Sequence, residues 1–185
     1  MSDESRNALA EHLDLAGRME PLLEPAARVA AAIVAAYERG GRVYTFGNGG
    51  SSADAAHFAE ELVGRYKRDR RPLAAQSLSI DASALTCIAN DYSYDEVFER
   101  QVRGFVRDGD VVIGFSTSGR SPNVVRGLAA ARELGAATVL FAGAAGGEAE
   151  HVLAVPSEST ARIQEMHVLL LHVILEEVDV WAAAH

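Results

Sequence analysis

His57 and Glu61 stand four residues apart. On a helix that spacing puts both side chains on one face, where together they can hold a metal ion or move a proton. It also suits an ordinary hydrogen-bonded pair. Immediately upstream the chain reads FGNGGSSADAAHFAEE from Phe46 to Glu61, the pattern of a strand end, a glycine turn and a helix start. Gly47, Gly49 and Gly50, with Asn48 among them, let the backbone turn sharply and approach a ligand without Cβ interference. Ser51 is predicted to cap the helix, with Asp54 completing a capping-box-like pattern. Unpaired N–H groups and the helix dipole make such a turn an anion site. The motif matches neither a P-loop nor the dinucleotide fingerprint.

A second turn has the same character. Ser116, Thr117, Ser118 and Ser121 gather hydroxyls around Gly119, and Pro122 suits a first helical position. With Ser51 they offer neutral donors, which suit a small anion in an acidic protein. A capping loop in which only Ser121 matters is the plainer alternative. Two such turns favour a sugar phosphate. Near the C-terminus, Gln164, Glu165, His167 and His172 interrupt an apolar stretch, RIQEMHVLLLHVILEE. His172, flanked by Val168 to Leu171 and by Val173 and Ile174, needs a partner: a core hydrogen bond, a metal or a substrate. Glu165 and His167 fall on other faces and read as structural.

Positioning these groups requires alternating strands and helices. Residues 5–38 have helical apolar spacing, which Pro21 and Pro25 are predicted to break into two helices. Residues 42–46, 73–79, 111–115, 137–141 and 151–155 read as strands. Helices are predicted over 82–89, 94–106, 123–134 and 160–181, with Asn90, Asp91 and Tyr92 in a turn. Arg65 to Arg71 reads as a solvated basic loop. Val111 to Phe115 is an apolar run of the kind found in parallel sheets covered on both faces. The alternation predicts a doubly wound parallel sheet, with ligands at the carboxyl ends of its strands. Both hydroxyl–glycine turns fall there. The first helix reads either as an arm packing on another subunit or as a cover for its own domain.

Composition bounds the partners. The 185 residues suit one domain with one substantial core. A net charge of −9 argues against nucleic acid as the main partner. Cys87 is the sole cysteine and its apolar neighbours predict a buried small hydrophobe. A single thiol fits a reducing cytoplasm. The acidic, polar N-terminus is not a signal peptide, and no apolar run reaches membrane-spanning length.

The words GNGGSSADAAHFAEELVGRY, AND at 89–91, STSGRSPNV and RIQEMHVLLLHV resemble those of the sedoheptulose-7-phosphate isomerase (phosphoheptose isomerase) family of the sugar isomerase (SIS) superfamily, over nearly the whole chain. The resemblance implies a flavodoxin-like α/β/α sandwich over residues 1–185, its N-terminal helices (1–40) packing in a homotetramer with active sites at subunit interfaces. It implies one zinc ion per subunit, held by His57, Glu61, Gln164 and His172. It places the phosphate on Ser51, Ser116, Thr117, Ser118 and Ser121, and the sugar against Asn48, Gly49, Gly50, Asn90, Asp91 and Gln164. Relatives often carry an acidic residue three before the glutamine, where this chain has Ala161, so one contact to sugar or water is missing.

Gln164 and His172 lie eight residues apart, about 12 Å along a straight helix and about 80° round it. One ion is hardly within reach of both, so neighbouring subunits are expected to share in each site. The implied reaction interconverts a 2-ketose phosphate and an aldose phosphate through a cis-enediol. Glu61 is expected to shuttle the carbon-bound proton and His172 to act as acid on oxygen, with zinc polarising the carbonyl. Asp91 is a further candidate for proton transfer, or a turn-forming residue. A non-catalytic relative that binds a protein partner or senses a sugar phosphate would not need this set together.

Overall fold

A computed structural model describes residues 2–185. Its sheet is wholly parallel, with strand order β2-β1-β3-β4-β5. The strands are β1 (Val43–Gly47), β2 (Ala75–Ser77), β3 (Val111–Ser116), β4 (Ala137–Ala142) and β5 (His151–Ala154). The α-helices are α1 (Asp3–Gly17), α2 (Leu23–Glu38), α3 (Gly50–Val63), α4 (Ala82–Asp91), α5 (Val97–Phe105), α6 (Pro122–Glu133) and α7 (Thr160–Ala182). Every residue of β1 and β3 is buried, because helices cover both faces and the strands alternate between two cores. Ile113, Phe115, Val139 and Phe141 meet Ile33 of α2, Phe58 and Leu62 of α3, and Leu170 and Ile174 of α7. Phe46, Val112 and Leu140 face the other way, toward Phe98 and Val102 of α5 and Val124 and Leu128 of α6.

This order is the flavodoxin-like one, and the chain reverses its direction of travel across the sheet at β1 and β3. The crossovers leave the carboxyl ends of these strands in opposite directions, the position at which such folds bind ligands. Gly47 pairs with Phe115 and Ser116 with Ala142, so the two hydroxyl–glycine turns emerge side by side there.

Several local expectations are corrected. The first helical run breaks at Arg18 and Met19, not at Pro25. Pro21 lies in a short 3-10 turn, Glu20–Leu22, and Pro25 fits the first turn of α2, where the missing N–H has no partner to lose. The second strand shrinks to Ala75–Ser77 at the sheet edge. Asn90 and Asp91 close α4 and are not in a turn. The 94–106 helix begins as a 3-10 turn, Tyr94–Glu96. Cys87 is exposed, because α4 packs too lightly to bury any residue fully. Tyr66 and Arg70 of the basic loop turn inward: Tyr66 stacks on His172 and the Arg70 side chain is only 1% exposed. Among the described residues no helix is long and apolar enough to cross a membrane.

α1 lies along its own chain. His12 Nδ1 is 2.8 Å from Glu165 Oε2 and the Arg162 guanidinium donates to the Ala8 carbonyl. Leu9 and Leu13 remain exposed. His167 is structural. It is fully buried against Phe115 and Phe141, and its Nε2 lies 3.2 Å from the Ala142 carbonyl. Burial pushes its pKa down from 6.5 to about 4. The unfolded chain therefore binds the proton more readily. The stability tied to a neutral His167 is complete above pH 6.5 and is lost as pH falls through 4, about 3 kcal/mol in all. Burial raises Asp54 to about 6, so its contribution runs in the opposite sense, being lost as pH rises from 3.8 through 6. The His167 share is expected as the difference between wild type and His167→Gln in urea unfolding at pH 7 and pH 4. Parallel curves for the two proteins would show that His167 does not couple folding to acid.

Candidate functional site

The first turn leaves β1 through Asn48 and enters α3 with Gly49 as N-cap. Ser51 does not cap. It lies inside the first helical turn and is buried, and no side chain makes a capping bond to α3. Asp54 completes no capping box either. It is buried, and its Oδ2 has no hydrogen-bond partner among the described residues. The start of α3 therefore has no side-chain cap, and only the Ser52 N–H turns back, to the Gly49 carbonyl at 3.0 Å. Gln164 of α7 packs directly on this turn: a Cβ on Gly50 would lie 2.9 Å from the Gln164 Cδ. Only glycine lets that amide approach the backbone.

The second turn is built around Gly119, whose φ of +67° is left-handed and whose missing Cβ makes room for the Gly146 carbonyl. Ser116 Oγ lies 3.0 Å from Ser121 Oγ and 3.4 Å from Ser118 Oγ. Ser121 is the N-cap of α6, as expected, with Pro122 next. Its hydroxyl turns to Ser116, however, and makes no capping bond. Thr117 is half-buried beside them and its carbonyl accepts from the Gly143 N–H at 3.0 Å. These hydroxyls bond mainly to one another, so each retains capacity for an anion.

An amide clasp that sequence reasoning missed locks the two turns together. Asn48 and the buried Asn123 of α6 exchange side-chain hydrogen bonds of 2.9 Å in both directions, and Tyr94 Oη donates to Asn48 Oδ1 at 2.9 Å. The only sequence signal was an asparagine at the second position of α6, common enough to pass unnoticed. Asn90 and Asp91, at the end of α4, are exposed and bonded to each other at 2.8 Å.

Two turns into α3 the ionisable groups converge. His57 Nε2 lies 3.2 Å from Glu61 Oε1, and the His172 ring stands edge-on to His57 at 5.1 Å. Ligand atoms of His57, Glu61 and His172 all lie within 4.8 Å of one another. Burial, then the neighbouring His57, holds His172 below the usual histidine pKa. That keeps its ring neutral near pH 7, the form that ligates metals. Donors around a tetrahedral zinc are about 3.4 Å apart, and imidazole and carboxylate are its usual ligands. One pair is already at that separation, so the donor set fits such a cation. Gln164 stands beside Gly50 while His172 stands beside His57. α3 and α7 therefore run in parallel, with the amide at the first glycine turn and the imidazoles two turns deeper.

A family model described as SIS domain matches residues 11–143. The chain is 48% identical over 180 residues to the phosphoheptose isomerase of Paramagnetospirillum magneticum, covering 95% of this chain and 94% of that one. It is 51% identical over 155 residues to the phosphoheptose isomerase of Aquifex aeolicus, covering 82% and 81%. Among solved structures it superposes on the phosphoheptose isomerase GmhA of Neisseria gonorrhoeae with a TM-score of 0.88 and 39% identity, covering 96% of this chain and 98% of that one.

Proposed function

Because the chain belongs to the SIS domain family and, within it, to the phosphoheptose isomerases, we propose that it interconverts sedoheptulose 7-phosphate and D-glycero-D-manno-heptose 7-phosphate, the first step toward a nucleotide-activated heptose. The observation that carries this reading is the convergence of His57, Glu61 and His172 on helices whose N-terminal ends face a hydroxyl-lined anion turn. A sugar-phosphate site without isomerase chemistry has no use for that triad.

The phosphate is received by the N–H groups at the start of α3 and by Ser51, Ser116, Thr117, Ser118 and Ser121. Asn48, Gly49, Gly50, Asn90, Asp91 and Gln164 line the sugar. His57, Glu61 and His172, with Gln164 as fourth donor, would hold a zinc ion, one per subunit, which when bound would supply Lewis-acid polarisation of the sugar carbonyl. Glu61 takes the proton from the carbon beside that carbonyl and returns it to the neighbouring carbon. A carboxylate has two oxygens, so one can face the carbon acid when the other is engaged. The neutral His172 ring, with one nitrogen toward the cation, keeps an N–H on the other; it hands that proton to the carbonyl oxygen as charge develops there and recovers one from the adjacent hydroxyl, leaving no net proton consumed.

The active unit in this reading is a homotetramer with shared sites. Gln164 lies about 12 Å along α7 from His172, so the amide completing one cation site comes from a neighbouring subunit. Exposed Leu9 and Leu13 on α1, and α4 with no fully buried residue, are the surfaces such an assembly covers.

Purified protein incubated with sedoheptulose 7-phosphate is expected to yield the aldose phosphate, to stop when a strong chelator is added and to resume on adding zinc, followed by NMR of the sugar. Undiminished conversion in excess chelator would remove the cation from the mechanism. No conversion with zinc present would reject the substrate.

A further inference from the structure

The cation site draws two donors, His57 and Glu61, from α3 and one, His172, from α7. Its shape therefore depends on how these two helices sit against each other at their C-terminal halves. Apolar packing alone sets such a register loosely, because hydrophobic contacts are non-directional. A directional tie lies just beyond the triad. Arg70 donates from Nη2 to the Glu61 carbonyl at 2.7 Å and from Nη1 to the Leu62 carbonyl at 3.0 Å. These are carbonyls of the last turn of α3, which have no partner within the helix. The same guanidinium donates from Nε to Asp179 Oδ1 at 3.2 Å. Asp179 is on α7, two turns past His172, and both side chains of this pair are 1% exposed. The other Asp179 oxygen accepts from the Arg68 backbone N–H at 3.0 Å and from its guanidinium at 3.3 Å.

A buried ion pair is weak evidence for stability, since desolvation offsets its attraction. What this one does supply is direction. The planar fork of arginine reaches two carbonyls and a carboxylate at once, which a lysine cannot do. Glu61 itself is one of the residues gripped. We propose that Arg70 and Asp179 are positioning residues for the cation site, fixing the last turn of α3 against α7 so that Glu61 meets His172. This rests on the assignment of His57, Glu61 and His172 as cation ligands. Neither Arg70 nor Asp179 is hydrogen-bonded to the side chain of His57, Glu61 or His172, so removing either loosens the site without removing a donor.

The test uses full-length protein and zinc, with affinity measured by competition against a chromophoric chelator. The cobalt-substituted protein supplies a visible spectrum that reports coordination. Asp179→Asn is expected to weaken zinc binding about 10- to 100-fold, the usual cost of removing a group that orients metal ligands. The cobalt bands should change shape, and kcat should fall with little change in KM at saturating zinc. Arg70→Lys should fall between wild type and Asp179→Asn. Should Asp179→Asn not fold, Arg68→Met serves instead. The Arg68 side chain is 45% exposed, and its loss removes one of the two bonds to Asp179 Oδ2 while the backbone bond stays, for an expected few-fold weakening of zinc binding. Variants with lowered melting temperature but wild-type zinc affinity and an unchanged cobalt spectrum would make the tie merely structural and overturn the proposal. Wild type that takes up no zinc would overturn the cation site itself, a distinct result.

Discussion

Glu61→Gln is expected to lower turnover about 100- to 10,000-fold, the range set by removing a positioned general base, while the sugar phosphate still binds. The substitution keeps the size and hydrogen-bonding reach of the side chain but leaves no carboxylate to accept a carbon-bound proton. In the proposed site the phosphate belongs at the other end of α3, with Ser51, the backbone and Ser116, Ser118 and Ser121 after β3, none of which Glu61 is hydrogen-bonded to. The measurement pairs calorimetric binding of sedoheptulose 7-phosphate with the isomerisation rate, both at saturating zinc so that weakened ligation does not masquerade as lost base. Turnover within a few-fold of wild type would reassign the base. Lost binding together with lost turnover would mean that Glu61 holds substrate or fold more than it moves protons.

The second large effect is recovery of activity from two inactive parents. Ser118 is exposed in the hydroxyl turn, 3.4 Å from Ser116, so Ser118→Asp sets a carboxylate in the turn proposed to receive the phosphate. Like charges so placed cost several kcal/mol, which should cut sugar-phosphate affinity about 100-fold or more. If each site combines the anion turn of one subunit with the base of another, a Ser118→Asp chain can supply the base and a Glu61→Gln chain the turn. Co-refolding the two variants should then restore a measurable part of wild-type turnover, whereas either alone stays inactive. Mixtures no more active than the parents would place all groups of a working site within one chain.

How far the site could be read in advance follows from how local each feature is. His57 and Glu61 are adjacent on one helix by backbone geometry alone. The glycine turns announce themselves because a sharp turn between strand and helix restricts residue type. Side-chain destinations were less legible. Ser51 and Asp54 have a capping signature, yet the close packing of the turn buries both and leaves Gly49 as the cap. Arg70 sits in a run of charges indistinguishable from a solvated loop, and only its distant partner Asp179 draws it inside. The apolar neighbours of Cys87 suggested burial, but a helix with little packed on it exposes even an apolar stretch.

The sequence by itself determined the parallel sheet, the two hydroxyl–glycine turns at its carboxyl edge and the chemical types available there. Those depend on residue-by-residue periodicity and on backbone freedom, both of which are local. The tertiary structure alone decided which distant groups meet. Asn48 is clasped to Asn123, His172 stands against His57, Gln164 lies over Gly50, and Arg70 ties α3 to α7 through Asp179. Helices α3 (Gly50–Val63) and α7 (Thr160–Ala182) are far apart along the chain, and their parallel alignment arises from the shared core of Phe58, Leu62, Leu170 and Ile174. That packing minimises exposed apolar surface over the whole molecule, a property no short stretch of residues contains.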